Sequence, residues 1–96
     1  MPAYCLAEVD VTDSQGFAEY STGVPATIAQ YGGRYLARGG RVERVEGDWE
    51  PKRLVIVEFP SVEQALAWYH SPEYSAIRSI RERTANTRFV IVEGVG

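Results

Sequence analysis

The chain is short of several things, and each shortage closes off a class of protein. One cysteine, Cys5, among 96 residues leaves no internal disulfide and no multi-cysteine metal site. No apolar run approaches the roughly 20 residues that a membrane-crossing helix needs, so no membrane partner is expected. The opening Met1-Pro2-Ala3-Tyr4 has neither the basic nor the apolar region of a signal peptide, and a cytoplasmic location is the expectation. Basic residues are outnumbered ten to thirteen, for a net charge of −3. A phosphate backbone calls for the opposite balance, so no nucleic-acid partner is expected. Lysine is nearly absent: Lys52 stands alone beside nine arginines, and arginine suits fixed, hydrogen-bonded positions better than lysine does. There is a single histidine, His70, and there is no repeat, linker or low-complexity segment.

What is present is one small domain. A domain of this size buries only roughly two-thirds of its unfolded surface, so association with a second copy would help it. Residues 3–11 read as a strand with two unlike faces: Ala3, Cys5, Ala7 and Val9 are small, while Tyr4, Leu6, Glu8 and Asp10 are larger and mixed. Asp13 is a good N-cap for a helix over about 14–31, where Phe17, Tyr20, Val24, Ile28 and Tyr31 form an apolar stripe. Gly23 and Pro25 interrupt that stripe and predict a kink or two short helices. Gly32-Gly33 ends the helix. Residues 34–38 form a second strand, Gly39-Gly40 a turn, and Arg41–Val45 a possible extended continuation before a loop at Gly47–Pro51.

Arg53–Phe59 is a strand with Val55, Val57 and Phe59 on one face and Leu54, Ile56 and Glu58 on the other. Ser61 followed by Gln64 is a capping box, and Ser71-Pro72 opens another helix with proline at its first position. That helix turns Tyr74, Ile77 and Ile80 inward and Arg78, Arg81 and Arg83 outward. Arg88–Glu93 is the last strand. The order β-α-β-β-α-β, with the second helical segment split in two, is the ferredoxin-like plan. It is an α+β fold with a four-stranded antiparallel sheet and helices on one face. A sheet with one wet face should alternate polar and apolar residues, and these strands are apolar on both sides. The expected cover is a second copy of the same sheet in a two-fold dimer, with Cys5 packed toward that interface.

Three runs carry a family resemblance: Tyr31-Gly32-Gly33-Arg34-Tyr35-Leu36-Ala37-Arg38-Gly39-Gly40, Val57-Glu58-Phe59-Pro60-Ser61, and Trp68-Tyr69-His70-Ser71-Pro72-Glu73-Tyr74. Together they make the chain resemble the domain-of-unknown-function 1330 family, small bacterial proteins grouped with the dimeric α/β-barrel superfamily. The resemblance spans nearly the whole chain. It implies a ferredoxin-like protomer and a homodimer with sheets face to face. It supplies no agreed function: the wider superfamily includes cofactor-independent monooxygenases, haem-degrading enzymes, lactone isomerases and proteins that only bind ligands. Function must therefore be argued from the site.

Members of that superfamily often hold a ligand between helices and sheet. Tyr4, Tyr20, Arg38, Glu58, Trp68, His70 and Tyr74 are the residues here that could line such a cleft. Arg38 suits a carboxylate or enolate, or else a salt bridge to Glu58 or a neighbour. Glu58 on an apolar strand is either paired with arginine or raised in pKa, as a general base would be; pairing is the favoured reading. His70, between two helices, is a candidate acid–base group or axial haem ligand, against the plainer reading of a surface or capping residue. Tyr20 and Tyr74 have hydroxyls for a polar ligand, whereas Tyr31 and Tyr69 read as core. The glycine pairs lack the helix and lysine of a phosphate loop.

Three classes of function follow. One is a carrier or cofactor-independent enzyme, of monooxygenase or isomerase type, for a small anionic or aromatic molecule; no cofactor or metal is expected in it. Another is a non-catalytic dimeric ligand-binding or assembly module, favoured if Trp68 and Leu66 fill the cleft. The third is a haem-binding protein, with His70 as the ligand.

Overall fold

The computed structural model of the chain describes residues 1–96. The elements run β1 (Ala3–Val11), α1 (Ser14–Gln30), β2 (Arg34–Arg38), β3 (Leu54–Phe59), α2 (Val62–Tyr69), α3 (Pro72–Thr84) and β4 (Ala85–Glu93). The four strands form one antiparallel sheet in the order β2-β3-β1-β4, and the sheet is not closed into a barrel. This is the expected ferredoxin-like arrangement, with the second helical segment split at His70-Ser71.

Local chemistry explains the helix ends. The Asp13 side chain accepts from the Gly16 amide at the start of α1, and Ser61 and Ser71 do the same for α2 and α3. Only half of the expected capping box forms at α2: the Gln64 side-chain amide donates to the Tyr31 carbonyl instead, at 3.0 Å. At the end of α1 the Gly33 amide donates to the Ile28 carbonyl and the Gly32 amide to that of Ala29, a Schellman cap. Gly32 takes a φ of +81° there, which a side chain would disfavour.

Three expectations are corrected. First, α1 is one continuous helix through Gly23 and Pro25. Pro25 has no amide hydrogen to give the Ser21 carbonyl one turn back, and an outside donor, described below, takes its place. Second, Arg41–Val45 forms no strand. The chain leaves the sheet edge at Gly39, with φ +71°, and Arg41 pairs locally with Glu43.

Third, the small-residue face of β1 does not look outward. Ala3, Cys5, Ala7 and Val9 are buried beneath the helices, where Cys5 packs with Val24, Trp68 and Tyr74, and Ala7 and Val9 with Phe17. Small side chains there let bulky helix residues approach the sheet. The open face carries Tyr4, Leu6, Ile56, Val90 and Val92, aligned by the pairings Tyr4–Val92, Leu6–Val90 and Leu6–Ile56. Val90 and Val92 remain 61% and 50% exposed, so one protomer leaves this apolar strip uncovered. Ion pairs flank it: Arg34–Glu58 at 2.6 Å and Arg88–Glu8 at 3.7 Å.

Candidate functional site

A cavity of about 50 Å³ lies between α1 and the helix-covered face of the sheet. Its wall is mostly apolar, with Cys5, Val24, Val57 and Trp68 among its members. The polar members are Tyr20, Ser21, Tyr35, Arg38, Arg53 and Arg81. No carboxylate and no imidazole borders it.

A β-bulge places Arg38 on this wall. Tyr35 pairs with Val57, yet Ala37 already pairs with Ile56 and Arg38 with Val55. The extra residue shifts the alternation by one. Without it Arg38 would share the open face with Arg34; with it Arg38 joins Tyr35 on the helix side. Its guanidinium lies 4.6 Å from the centre of the Tyr35 ring. Nη2 donates to the Ser21 carbonyl at 2.5 Å and to the Ser21 hydroxyl at 3.1 Å. That carbonyl is the one Pro25 leaves without an intrahelical donor.

Arg81 is the residue the sequence reading missed. Its expected outward placement with Arg78 and Arg83 is corrected: Arg81 is 7% exposed. Position 81 follows Tyr74 and Ile77 by seven and four residues, so it belongs to the buried stripe. That spacing was the available signal. Arg81 Nη1 donates to the Tyr74 hydroxyl at 3.0 Å, and the Tyr74 and Tyr20 hydroxyls lie 2.8 Å apart. Burial pushes both phenols upward in pKa, against the lowering pull of Arg81, so both are neutral hydroxyls at neutral pH. Tyr35 is raised by burial too, with Arg38 opposing.

Arg53, the residue before β3, completes the polar wall. Its guanidinium sits 5.8 Å from the Phe17 ring centre and packs where a Cβ on Gly39 would fall. Five other arginines, at positions 34, 41, 44, 78 and 88, each pair with a glutamate. Arg38, Arg53 and Arg81 pair with none, and neither does Arg83, which is exposed and lies outside the cavity wall. The cavity therefore has three guanidinium groups and no counter-charge.

Of the residues singled out in the sequence, Tyr20, Arg38 and Trp68 line the cavity. Tyr74 stands behind Tyr20. Trp68 is spent as a hydrogen-bond donor, its indole nitrogen reaching the Thr27 hydroxyl at 3.0 Å. It walls the cleft without filling it, and Leu66 is exposed. Three placements are corrected. Tyr4 and Glu58 pair with each other on the open face, across the sheet from the cavity, because strand alternation puts even positions of β1 and β3 there; Glu58 is bound to Arg34 rather than Arg38. His70 is exposed at the C-cap of α2 and rests edge-on against Tyr69, outside the cavity wall.

The sequence profile of the family described as Domain of unknown function (DUF1330) matches residues 2–95. The chain belongs to that family. Among curated proteins none matches it. Among solved structures, a Rhodopseudomonas palustris protein of unknown function, RPA0582, superposes with a TM-score of 0.78 at 18% identity, covering 99% of this chain and 83% of that one. SnoaB, a cofactor-independent oxygenase from Streptomyces nogalater, superposes with a TM-score of 0.68 at 8% identity, over 99% and 94% of the two chains. A dimeric ferredoxin-like protein of unknown function from Thermobifida fusca gives 0.67 at 15% identity, over 96% and 90%. At these identities the likeness is one of fold.

Proposed function

We propose that this DUF1330 protein binds a small organic anion in the cleft between α1 and the sheet. The observation that carries this is the set of three arginines on one cavity wall, one of them almost fully buried, with no acidic partner. A buried charge is ordinarily paired, and an anionic ligand is the missing partner. Arginine can grip a carboxylate through two parallel hydrogen bonds.

Binding is favoured over proton-transfer catalysis. A general base near neutral pH needs a group poised there. The titratable non-arginine groups on the wall are Cys5, Tyr20 and Tyr35, and burial raises all three. The acid–base roles considered for His70 and Glu58 have no counterpart in this cavity, since neither borders it.

The same reading includes a homodimer through the open sheet faces. The strip of Tyr4, Leu6, Ile56, Val90 and Val92 is self-complementary under a two-fold axis, and a protein of like fold is described as dimeric.

The test is a thermal-shift screen of small organic acids against the purified protein, followed by Arg38→Ala. A ligand held only by the folded state raises the melting temperature. At least one acid is expected to do so, and Arg38→Ala is expected to weaken that acid about tenfold or more. If no anion shifts the wild type, the reading is wrong.

A further inference from the structure

Arg81 belongs to the cavity wall, yet two of its three guanidinium nitrogens are withheld from the cavity. Nη1 is spent on the Tyr74 hydroxyl, at 3.0 Å, and Nε is buried with no partner. Position 81 lies two turns after Tyr74 on the same face of α3, and its guanidinium sits 5.9 Å from the centre of the Phe89 ring. Tyr74 is held as well. Its amide donates to the Ser71 hydroxyl at 3.1 Å, and the centres of its ring and that of Trp68 are 4.1 Å apart.

The protons of this cluster can be counted. A guanidinium only donates, so the Tyr74 oxygen accepts from Arg81. The Tyr74 and Tyr20 oxygens, 2.8 Å apart, share one hydrogen bond, although each phenol carries a proton. One proton is therefore left over. On Tyr74, which is fully buried, it would be an interior donor without an acceptor, an arrangement that proteins avoid. Tyr20 lines the cavity and Tyr74 does not. The favoured order has Arg81 donating to Tyr74, Tyr74 to Tyr20, and Tyr20 into the cavity.

A chain of this kind polarises each link in turn, so a hydroxyl at its end donates more strongly than a lone phenol. Burial raises the Tyr20 pKa, and the bond from Tyr74, then Arg81 and Arg38, oppose it. The group stays a neutral donor with positive charge close by.

We infer that the Tyr20 hydroxyl binds an anionic oxygen of the ligand, and that Arg81 and Tyr74 are positioning residues that hold its proton toward the cavity. The ligand class is an organic acid bound in its deprotonated form. This rests on the anion-binding reading and assigns the donor within it.

Titration of the full chain with formate, acetate and benzoate, followed by NMR, tests this. At least one of the three is expected to bind, and Tyr20→Phe to weaken it about tenfold. Tyr74→Phe is expected to weaken it about threefold, although Tyr74 does not border the cavity. The double variant is expected to bind no worse than Tyr20→Phe alone, because Tyr74 acts through Tyr20. Additive losses would overturn the relay. Binding that Arg38→Ala weakens and Tyr20→Phe leaves unchanged would overturn the inference and leave anion binding standing. No binding by any of the three would overturn it too, and the wider screen of acids then decides anion binding by itself. Where Tyr74→Phe does not fold, the wild type answers through the deuterium isotope shift on the tyrosine Cζ signals. The Tyr20 hydroxyl is expected to exchange with solvent faster than that of Tyr74; the reverse order would overturn the relay.

Discussion

Arg38 donates to the Ser21 carbonyl, the one backbone acceptor in α1 that Pro25 deprives of its usual donor. A sequence feature that predicts a broken helix is thereby turned into an anchor. The proline frees an acceptor, and the bulge at Leu36 delivers a guanidinium to it. The bond ties edge strand β2 to α1 at the cavity wall.

Replacing the proline should therefore stabilise the helix and loosen the arginine. In a helix interior proline is about 3 kcal/mol worse than alanine, and the Arg38 bond offsets part of that. Pro25→Ala is expected to raise unfolding free energy by about 1–3 kcal/mol in urea denaturation. A loss of stability would mean that the arginine bond is worth more than the amide it replaces.

The phenol pair should matter to the core. Tyr74→Phe leaves Arg81 Nη1 without an acceptor and breaks the link to Tyr20. The expected cost is about 1–3 kcal/mol in the same measurement. No change would mean that water replaces the hydroxyl freely.

Glu73 gives the protein an acid-side dependence. Its own backbone amide, then the Tyr31 hydroxyl, hold its carboxylate below the ordinary range. A depressed carboxylate contributes stability that is present above the unfolded value, about 4.3, and is lost as pH falls through the folded one. The melting-temperature gap between wild type and Glu73→Gln should favour wild type at about pH 7 and close as the pH falls through the folded value. A gap independent of pH would remove the ionised carboxylate from the account.

Cys5 should be chemically silent. Burial pushes its thiol up to about 12, and the thiolate is the reacting form. Iodoacetamide labelling at about pH 8 is expected to follow global unfolding as denaturant is added. Rapid labelling of the native protein would show that the cavity opens to its floor.

The open sheet face should govern association. Val90→Glu places a charge in the uncovered apolar strip, where a partner's sheet would have to desolvate it. Sedimentation velocity is expected to show a dimer for wild type and a folded monomer for the variant. A monomeric wild type at working concentration would remove the dimer from the proposal.

Much of the fold was legible because its signals are local. Asp13, Ser61 and Ser71 mark helix starts through short-range hydrogen bonds, and Gly32-Gly33 marks an end through a conformation that glycine alone adopts cheaply. Strand alternation sorted the residues of β1 and β3 onto two faces, and it placed Glu58 with Leu54 and Ile56. Alternation cannot say which face meets the helices, and the small face of β1 was assigned to the wrong side for that reason.

The site was legible only in part. Tyr20, Arg38 and Trp68 carried enough chemistry to be named from the chain alone. Arg53 and Arg81 did not, because a charged residue beside other charged residues looks solvated until its surroundings are known. The residues themselves determined a ferredoxin-like chain rich in arginine and apolar on both strand faces. The tertiary structure decided which arginines go without a glutamate and which one a single bulge turns inward. Those outcomes depend on register and on the approach of distant elements, where one extra residue in an edge strand reverses the side a charge occupies.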